Sequence, residues 1–344
     1  MGIAGLAQGL AQLGHQVSLR PLGRRTGFHT LDRWVYNAGV VLRPPRDTDL
    51  VLGVDLDGFL WARHRALPFV ASLKGIIADE LRNERGRVRT LLTLQARWER
   101  RNVERADLVI VTSRYCAEVA QREYAVRADR LAVVPEPIDL EVWDDQFWRA
   151  PRRAPAGPVV LCVARMYPRK RVPDLLRAVA LLRARIPDVQ VRIVGRGPEW
   201  AAVSRLHAEM GLGEAVALLG DLSRERLAEE YANASLFCLP SVQEGFGIVF
   251  LEAMAAELPV VACRIAAVPE VVRDGVTGLL VPPRDPGALA EALERLIDDR
   301  ALARRLGQEG RRRALGFSPR HVAERFLSAV HSTQDRLGQQ ARGG

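Results

Sequence analysis

Hydrophobic and polar positions change period repeatedly along this 344-residue chain. In the second half, short apolar runs fall near 158 to 164, 189 to 195, 215 to 219, 235 to 239, 258 to 262 and 278 to 281, and longer segments with apolar residues at helical spacing separate them. Such regular alternation predicts parallel strands with crossover helices on both faces, a doubly wound α/β sheet. The first half repeats the scheme, with strands expected at 16 to 20, 38 to 42, 49 to 54, 68 to 73, 107 to 111 and 131 to 134, and a long arginine-rich helix over 80 to 105. A proline-rich break, Trp143 to Pro158, is the best interdomain linker. The pattern thus divides the chain into an N-terminal domain over 1–150 and a C-terminal domain over 158–317. Helices at 286 to 296, 300 to 314 and 318 to 332 close it, and the polar tail 333–344 is expected to be disordered.

Length and a hydrophobic content of 48% suffice for two cores of ordinary size. No stretch approaches the roughly twenty apolar residues of a membrane span, and no charged region followed by a hydrophobic segment opens the chain, so the expected location is cytoplasmic. Cys116, Cys162, Cys238 and Cys263 show no paired spacing and read as free thiols in a reducing compartment. The six histidines, His15, His29, His64, His207, His321 and His331, are too scattered for a metal site. A net charge of +9 raises nucleic acid and anionic membrane as partners. Acids interleave with the arginines, as in Arg97-Trp-Glu-Arg-Arg-Asn-Val-Glu-Arg105, which argues against nucleic acid and leaves peripheral docking on an anionic membrane open.

The chemistry concentrates in Ser241-Val-Gln-Glu-Gly-Phe-Gly-Ile-Val-Phe-Leu-Glu252. An apolar run ends at Pro240 and a helical pattern begins at Ile248, so Gly245, Phe246 and Gly247 form a strand-to-helix turn. The first amides of a helix lack internal partners and carry partial positive charge, which suits a phosphate or a sugar oxygen. Glu244 stands before the helix and Glu252 little more than two turns into it, within reach of two parts of one extended ligand. Taken alone, both carboxylates read better as solvated surface groups.

The surrounding motifs favour the site. Val163-Ala-Arg165 followed by Lys170, Ile193-Val-Gly-Arg-Gly-Pro198, Leu219-Gly-Asp-Leu222, Leu239-Pro-Ser241, Glu244 to Glu252, Pro259-Val-Val-Ala262, Pro269-Glu270 and Asp274-Gly-Val-Thr-Gly278 occur in an order that resembles the retaining, GT-B fold glycosyltransferases of family 4. The resemblance implies two Rossmann-like domains facing a cleft, with the last helix crossing back to the first domain. It implies transfer of a sugar from a nucleoside diphosphate sugar to a glycan, lipid or small-molecule acceptor, with no metal and no cofactor. By position, Arg165 and Lys170 grip the donor diphosphate, Glu252 binds the ribose hydroxyls and Glu244 the transferred sugar. Gly195, Leu222, Ser241, Gly245, Phe246 and Gly247 line the donor site, with Leu222 at the base pocket. Lys74 follows a strand at a position facing the donor sugar or the acceptor; a solvated loop lysine is the equal alternative. All but two of the fifty basic residues are arginine, and the exceptions are Lys74 and Lys170. Lysine offers a compact point charge where arginine offers a planar fork, which gives Lys170 weight of its own.

Several positions depart from the family pattern. Met1 begins inside the first helix, so the first strand and its glycine-rich loop are expected to be missing. Arg171, Glu257 and the pair Ala266-Ala267 stand where glycine is usual, and Val134-Pro-Glu-Pro-Ile-Asp139 replaces a commoner turn. These departures keep a second reading alive, a catalytically silent protein of the same fold that binds nucleotide sugars or assists assembly. Asp55-Leu56-Asp57 has the form of a metal-binding pair but reads better as a structural or acceptor-side element. Gly195-Arg-Gly-Pro198 lacks the third glycine of a dinucleotide loop, and Pro198 reads as a first helical residue. No lysine motif for a pyridoxal cofactor is found, which disfavours a phosphorylase.

Overall fold

The computed structural model describes residues 2–22, 29–43, 47–63, 67–153 and 156–343. His64 and linker residues 154–155 lie outside them. The chain divides into two compact units, Met1–Pro137 with Pro319–Gly344, and Ile138–Ser318.

The first unit holds four parallel strands in the order β1 (Val51–Val54), β2 (Phe69–Leu73), β3 (Leu108–Val111) and β4 (Leu131–Val133). All five residues of β2 and all four of β3 are buried, as continuous apolar runs in a sheet covered on both faces require. The helices are α1 (Gly2–Gln12), α2 (His29–Leu42), α3 (Ile77–Glu80), α4 (Gly86–Arg105) and α5 (Arg114–Tyr124). Three expectations need correction. Residues 16 to 20 form no strand: Val17 and Leu19 alternate correctly but are 40% and 52% exposed, with no neighbouring strand among the described residues to complete a ladder. Residues 38 to 42 are the last turns of α2, because the apolar Val40-Val41-Leu42 run continues a helical pattern begun at Leu31. The long helix starts at Gly86 rather than 80, since Gly86 takes φ +55° and breaks the run.

The second unit contains α6 (Leu140–Arg149), α7 (Val172–Arg183), α8 (Trp200–Glu209), α9 (Arg224–Ala232), α10 (Ile248–Ala255), α11 (Val268–Val271), α12 (Pro286–Asp298) and α13 (Arg300–Leu315) around six parallel strands. These are β5 (Val159–Val163), β6 (Gln190–Val194), β7 (Val216–Gly220), β8 (Leu236–Leu239), β9 (Val260–Cys263) and β10 (Gly278–Val281), in the order β10-β9-β8-β5-β6-β7. Each expected strand is present within two residues. The chain leaves β5 toward β6 and β7, then returns to its other side with β8, so the sheet changes direction between β5 and β8.

The boundary expected at 150 moves to 137, and the final domain limit to 318. Trp143 and Phe147 on α6 are buried in the second core, with the Trp143 ring edge-on to Tyr231 at 5.6 Å. The Ile138 N–H donates to Phe317 C=O at 2.8 Å and ties the two ends of this unit together. The last helix, α14 (Pro319–Gly343), belongs to the first unit, where Val322, Ala323, Phe326 and Val330 pack with Leu6 and Val70. It continues through the segment expected to be disordered: Thr333 is buried and Arg336 donates to the Asp129 carbonyl. No helix among the described residues is long and apolar enough to cross a membrane.

Candidate active site at the switch point of the second sheet

In an open parallel sheet, ligands bind outside the carboxyl ends of the strands where the strand order reverses. Here that point lies between β5 and β8, and the candidate residues follow four adjacent strands: Arg165 after β5, Gly195 after β6, Leu222 after β7, and Ser241 and Glu244 after β8.

The loops are stitched to one another by main-chain bonds. Ala164 N–H donates to Val194 C=O at 3.0 Å, Met166 N–H to Arg196 C=O at 3.1 Å, and Gly195 N–H to Gly220 C=O at 2.7 Å. Gly195 has φ +108°, and a Cβ there would stand 2.2 Å from the Ala164 carbonyl oxygen, so both conformation and space demand glycine. Arg196 N–H donates to Asp221 Oδ1 at 2.9 Å, and its guanidinium lies 4.4 Å from the Trp200 ring. Pro198 sits in the turn ahead of α8, which begins at Trp200, so it is not the first helical residue.

Lys170 ends a short 3-10 turn, Pro168–Lys170. The next residue, Arg171, takes φ +54°, a left-handed conformation that reverses the chain into α7, while its side chain forks onto Asp174 at 2.7 and 2.8 Å. Val242 N–H donates to the Arg169 carbonyl at 2.8 Å, locking this turn to the loop after β8. Across that junction Lys170 Nζ meets Glu244 Oε1 at 2.6 Å, with the two side chains only 15% and 7% exposed. The structure therefore brings Lys170 and Glu244, 74 residues apart, into one largely desolvated pair. Ser241 beside them is fully buried and its Oγ has no hydrogen-bond partner among the described residues. Arg165 is exposed, lies 5.5 Å from the Tyr167 ring and forms no ion pair among the described residues.

Gly247 caps α10 at φ +88°, where a Cβ would stand 2.5 Å from the Phe250 ring. Phe246 is buried edge-on to Phe317 at 5.7 Å, which anchors the turn. Ala267 N–H donates to the Glu244 carbonyl at 3.3 Å, and Ala266 before it takes φ +51°. Leu222 is half-buried against the core.

Glu252 is only 2% exposed, and its Oε2 accepts from the Tyr231 hydroxyl at 2.9 Å. Burial pushes its carboxyl up to about 7, against the stabilising Tyr231 bond. Tyr231 escaped the sequence reading: in Arg224-Glu-Arg-Leu-Ala-Glu-Glu-Tyr-Ala232 its only signal is an aromatic in a polar helix, which predicts core contact and nothing more. The Arg169 carbonyl and Asp221 were also missed, as main-chain and loop partners carry no periodicity. All four cysteines are free and buried, and burial pushes the Cys162 thiol, under the site, up to about 12.

Lys74 belongs to the first unit. It follows β2, its N–H donates to Asp55 Oδ1 at 2.9 Å, and its Nζ pairs with Glu136 Oε1 at 2.5 Å. Asp57 accepts from Asn37 at 3.2 Å and from Arg33, and burial pushes it up to about 6. Both carboxylates of Asp55-Leu56-Asp57 are thus engaged in fixing local structure, and no group of three or more potential metal ligands gathers among the described residues.

Residues 144–313 match the family model of glycosyl transferases group 1, and residues 47–142 that of glycosyltransferase family 4. The chain is 36% identical over 243 residues to the D-inositol 3-phosphate glycosyltransferase of Nocardia farcinica, covering 67% of this chain and 54% of that protein. It is also 36% identical over 222 residues to the GDP-mannose-dependent alpha-(1-6)-phosphatidylinositol monomannoside mannosyltransferase of Mycolicibacterium smegmatis, covering 61% of this chain and 58% of the relative. The chain thus spans little more than half the length of these curated relatives. Among solved structures, the sucrose-phosphate synthase of Thermosynechococcus elongatus superposes with a TM-score of 0.78 at 23% identity, covering 97% of this chain and 93% of that one. With matched models over most of its length, two parallel-sheet units and this shared fold, the chain belongs to the GT-B glycosyltransferases of the family 4 type.

Proposed function

We propose that the chain is a hexosyltransferase that moves a sugar from a nucleoside diphosphate donor to an acceptor hydroxyl with retention of anomeric configuration. The observation that carries this reading is the Lys170–Glu244 pair at the switch point, which sets a cation for phosphate beside a carboxylate for sugar hydroxyls. The name of the mycobacterial relative makes GDP-mannose the first donor to test, with UDP-sugars as the alternative.

The chemical difficulty is charge building on the departing diphosphate. As the bond between the anomeric carbon and the phosphate oxygen loosens, Lys170, Arg165 and the amides of Gly245 to Gly247 stabilise the growing negative charge more than they stabilise the ground state, which is what accelerates a reaction. The acceptor oxygen bonds to the anomeric carbon on the same face, and its proton passes to the leaving phosphate oxygen, so no side chain serves as base. Glu244 orients the transferred sugar, Glu252 the ribose, and Leu222 flanks the base. No metal ion or cofactor enters this scheme. In the first unit Lys74, steadied by Glu136, is assigned to the acceptor side, where a glycan, a lipid headgroup or a small polyol supplies the hydroxyl.

The test is turnover of GDP-mannose and UDP-sugars by the wild type and by Lys170→Ala. Removing one preorganised charge contact should lower turnover by about a hundredfold or more; unchanged turnover would remove Lys170 from the scheme.

A further inference from the structure

The mechanism leaves the buried Tyr231 hydroxyl beside the site without a role. Tyr231 on α9 is 1% exposed, and its ring is held by the Trp143 edge from α6 at 5.6 Å, by Phe237 from β8 stacked at 6.0 Å, and by the second core around them. Phe250 from α10 meets Phe237 in turn at 6.0 Å. An aromatic held by packing on several sides has one orientation, so its hydroxyl is a fixed pointer. It points at Glu252 Oε2, 2.9 Å away, with the Val249 carbonyl at 3.5 Å as the only other acceptor the structure gives it. That bond leaves Glu252 Oε1 outside the Tyr231 contact.

We propose that Tyr231 is a positioning residue for nucleotide ribose: its hydroxyl engages Oε2 of Glu252 and so presents Oε1 to the ribose 2′-hydroxyl. This rests on the assignment of Glu252 to the ribose and deepens it. A carboxylate on a helix side chain has two terminal torsions and can turn either oxygen outward. One fixed donor removes that freedom before the ligand arrives, which lowers the cost of ordering on binding. A second consequence is selectivity: a site built to bond a hydroxyl rejects the analogue lacking it, because its own polar group is left unpaired.

Calorimetric titration with GDP, UDP and their 2′-deoxy forms tests this in wild type, Tyr231→Phe and Glu252→Gln. The wild type should bind the ribose form at least about tenfold more tightly than the 2′-deoxy form, the scale of one lost hydrogen bond to a charged group. In Tyr231→Phe that ratio should fall toward one, through weaker ribose binding, with 2′-deoxy binding nearly unchanged. Glu252→Gln should show the same collapse, and combining the two changes should add little. If Tyr231→Phe weakens both forms by one common factor and the ratio survives, Tyr231 acts only through general packing and the proposal is overturned. If the wild type does not distinguish the two forms, the ribose assignment of Glu252 fails, and the proposal with it. Failure of the wild type to bind either nucleotide would instead sink the donor-site reading as a whole.

Discussion

The pair Lys170 and Glu244 is a charged contact with little access to water, and that has energetic consequences at the scale of single residues. Removing one member strands the other, which in buried pairs costs about 3 kcal/mol or more. Lys170→Ala is therefore expected to lower stability as well as turnover, and the melting temperature must be read beside the kinetics. Glu252 supplies a pH dependence whose sign is fixed by burial. Its carboxyl keeps its proton in the native state up to about pH 7, against an ordinary value of 4.5. A raised carboxyl stabilises the fold fully below the lower value, and this contribution is lost as pH rises through about 7. Nucleotide binding runs the other way, because the ionised form is the better acceptor for ribose hydroxyls. Affinity for GDP or UDP should rise through about pH 7 and flatten in Glu252→Gln; an identical pH profile in that variant would show that another group titrates.

At the scale of elements, three sites keep a glycine's backbone without the glycine. Arg171, Glu257 and Ala266 have φ of +54°, +57° and +51°, and each stands where the family resemblance led us to expect glycine. A side chain in the left-handed region costs roughly 1–2 kcal/mol, partly offset by the freedom that glycine adds to the unfolded chain. Glu257→Gly, at a turn where the side chain is exposed and forms no ion pair among the described residues, should raise stability by about 0.5–1 kcal/mol, seen as a melting temperature about 1–4 °C higher. Arg171→Gly should not gain, because it also loses the fork onto Asp174. The same elements show what the sequence made legible. Buried strands β5 to β10 announced themselves as apolar runs between turn residues, and Arg165, Gly195, Leu222, Ser241 and Glu244 followed as strand-end residues. Residues 16 to 20 and 38 to 42 were misread because alternation and apolar runs register burial potential, whereas a strand also needs a neighbour to bond. The partnership of Tyr231 with Glu252 was invisible for a related reason: it depends on α9 and α10 both packing on α6, and no spacing along the chain encodes it.

For the whole molecule, the division at 137 and 318 makes the second unit one continuous segment with its own core and its own candidate donor site. Residues 138–318 expressed alone should unfold in one cooperative transition and bind GDP or UDP with the affinity trend of the full chain. The segment 158–317, cut at the proline-rich break, should be markedly less stable, since it discards Trp143 and Phe147 from the core. A large buried aromatic is worth about 3–5 kcal/mol. Equal stability of the two segments would refute the placement of α6. The central claim is narrower: one lysine from the turn after β5 and one glutamate from the loop after β8 together hold a diphosphate sugar. The most direct measurement is the affinity of GDP relative to guanosine, or UDP relative to uridine, in wild type and Lys170→Ala by calorimetric titration. The account predicts that the diphosphate form loses at least about tenfold in the variant while the nucleoside is unaffected, the scale of one charge-assisted contact. Equal loss for both, or loss for neither, would contradict it.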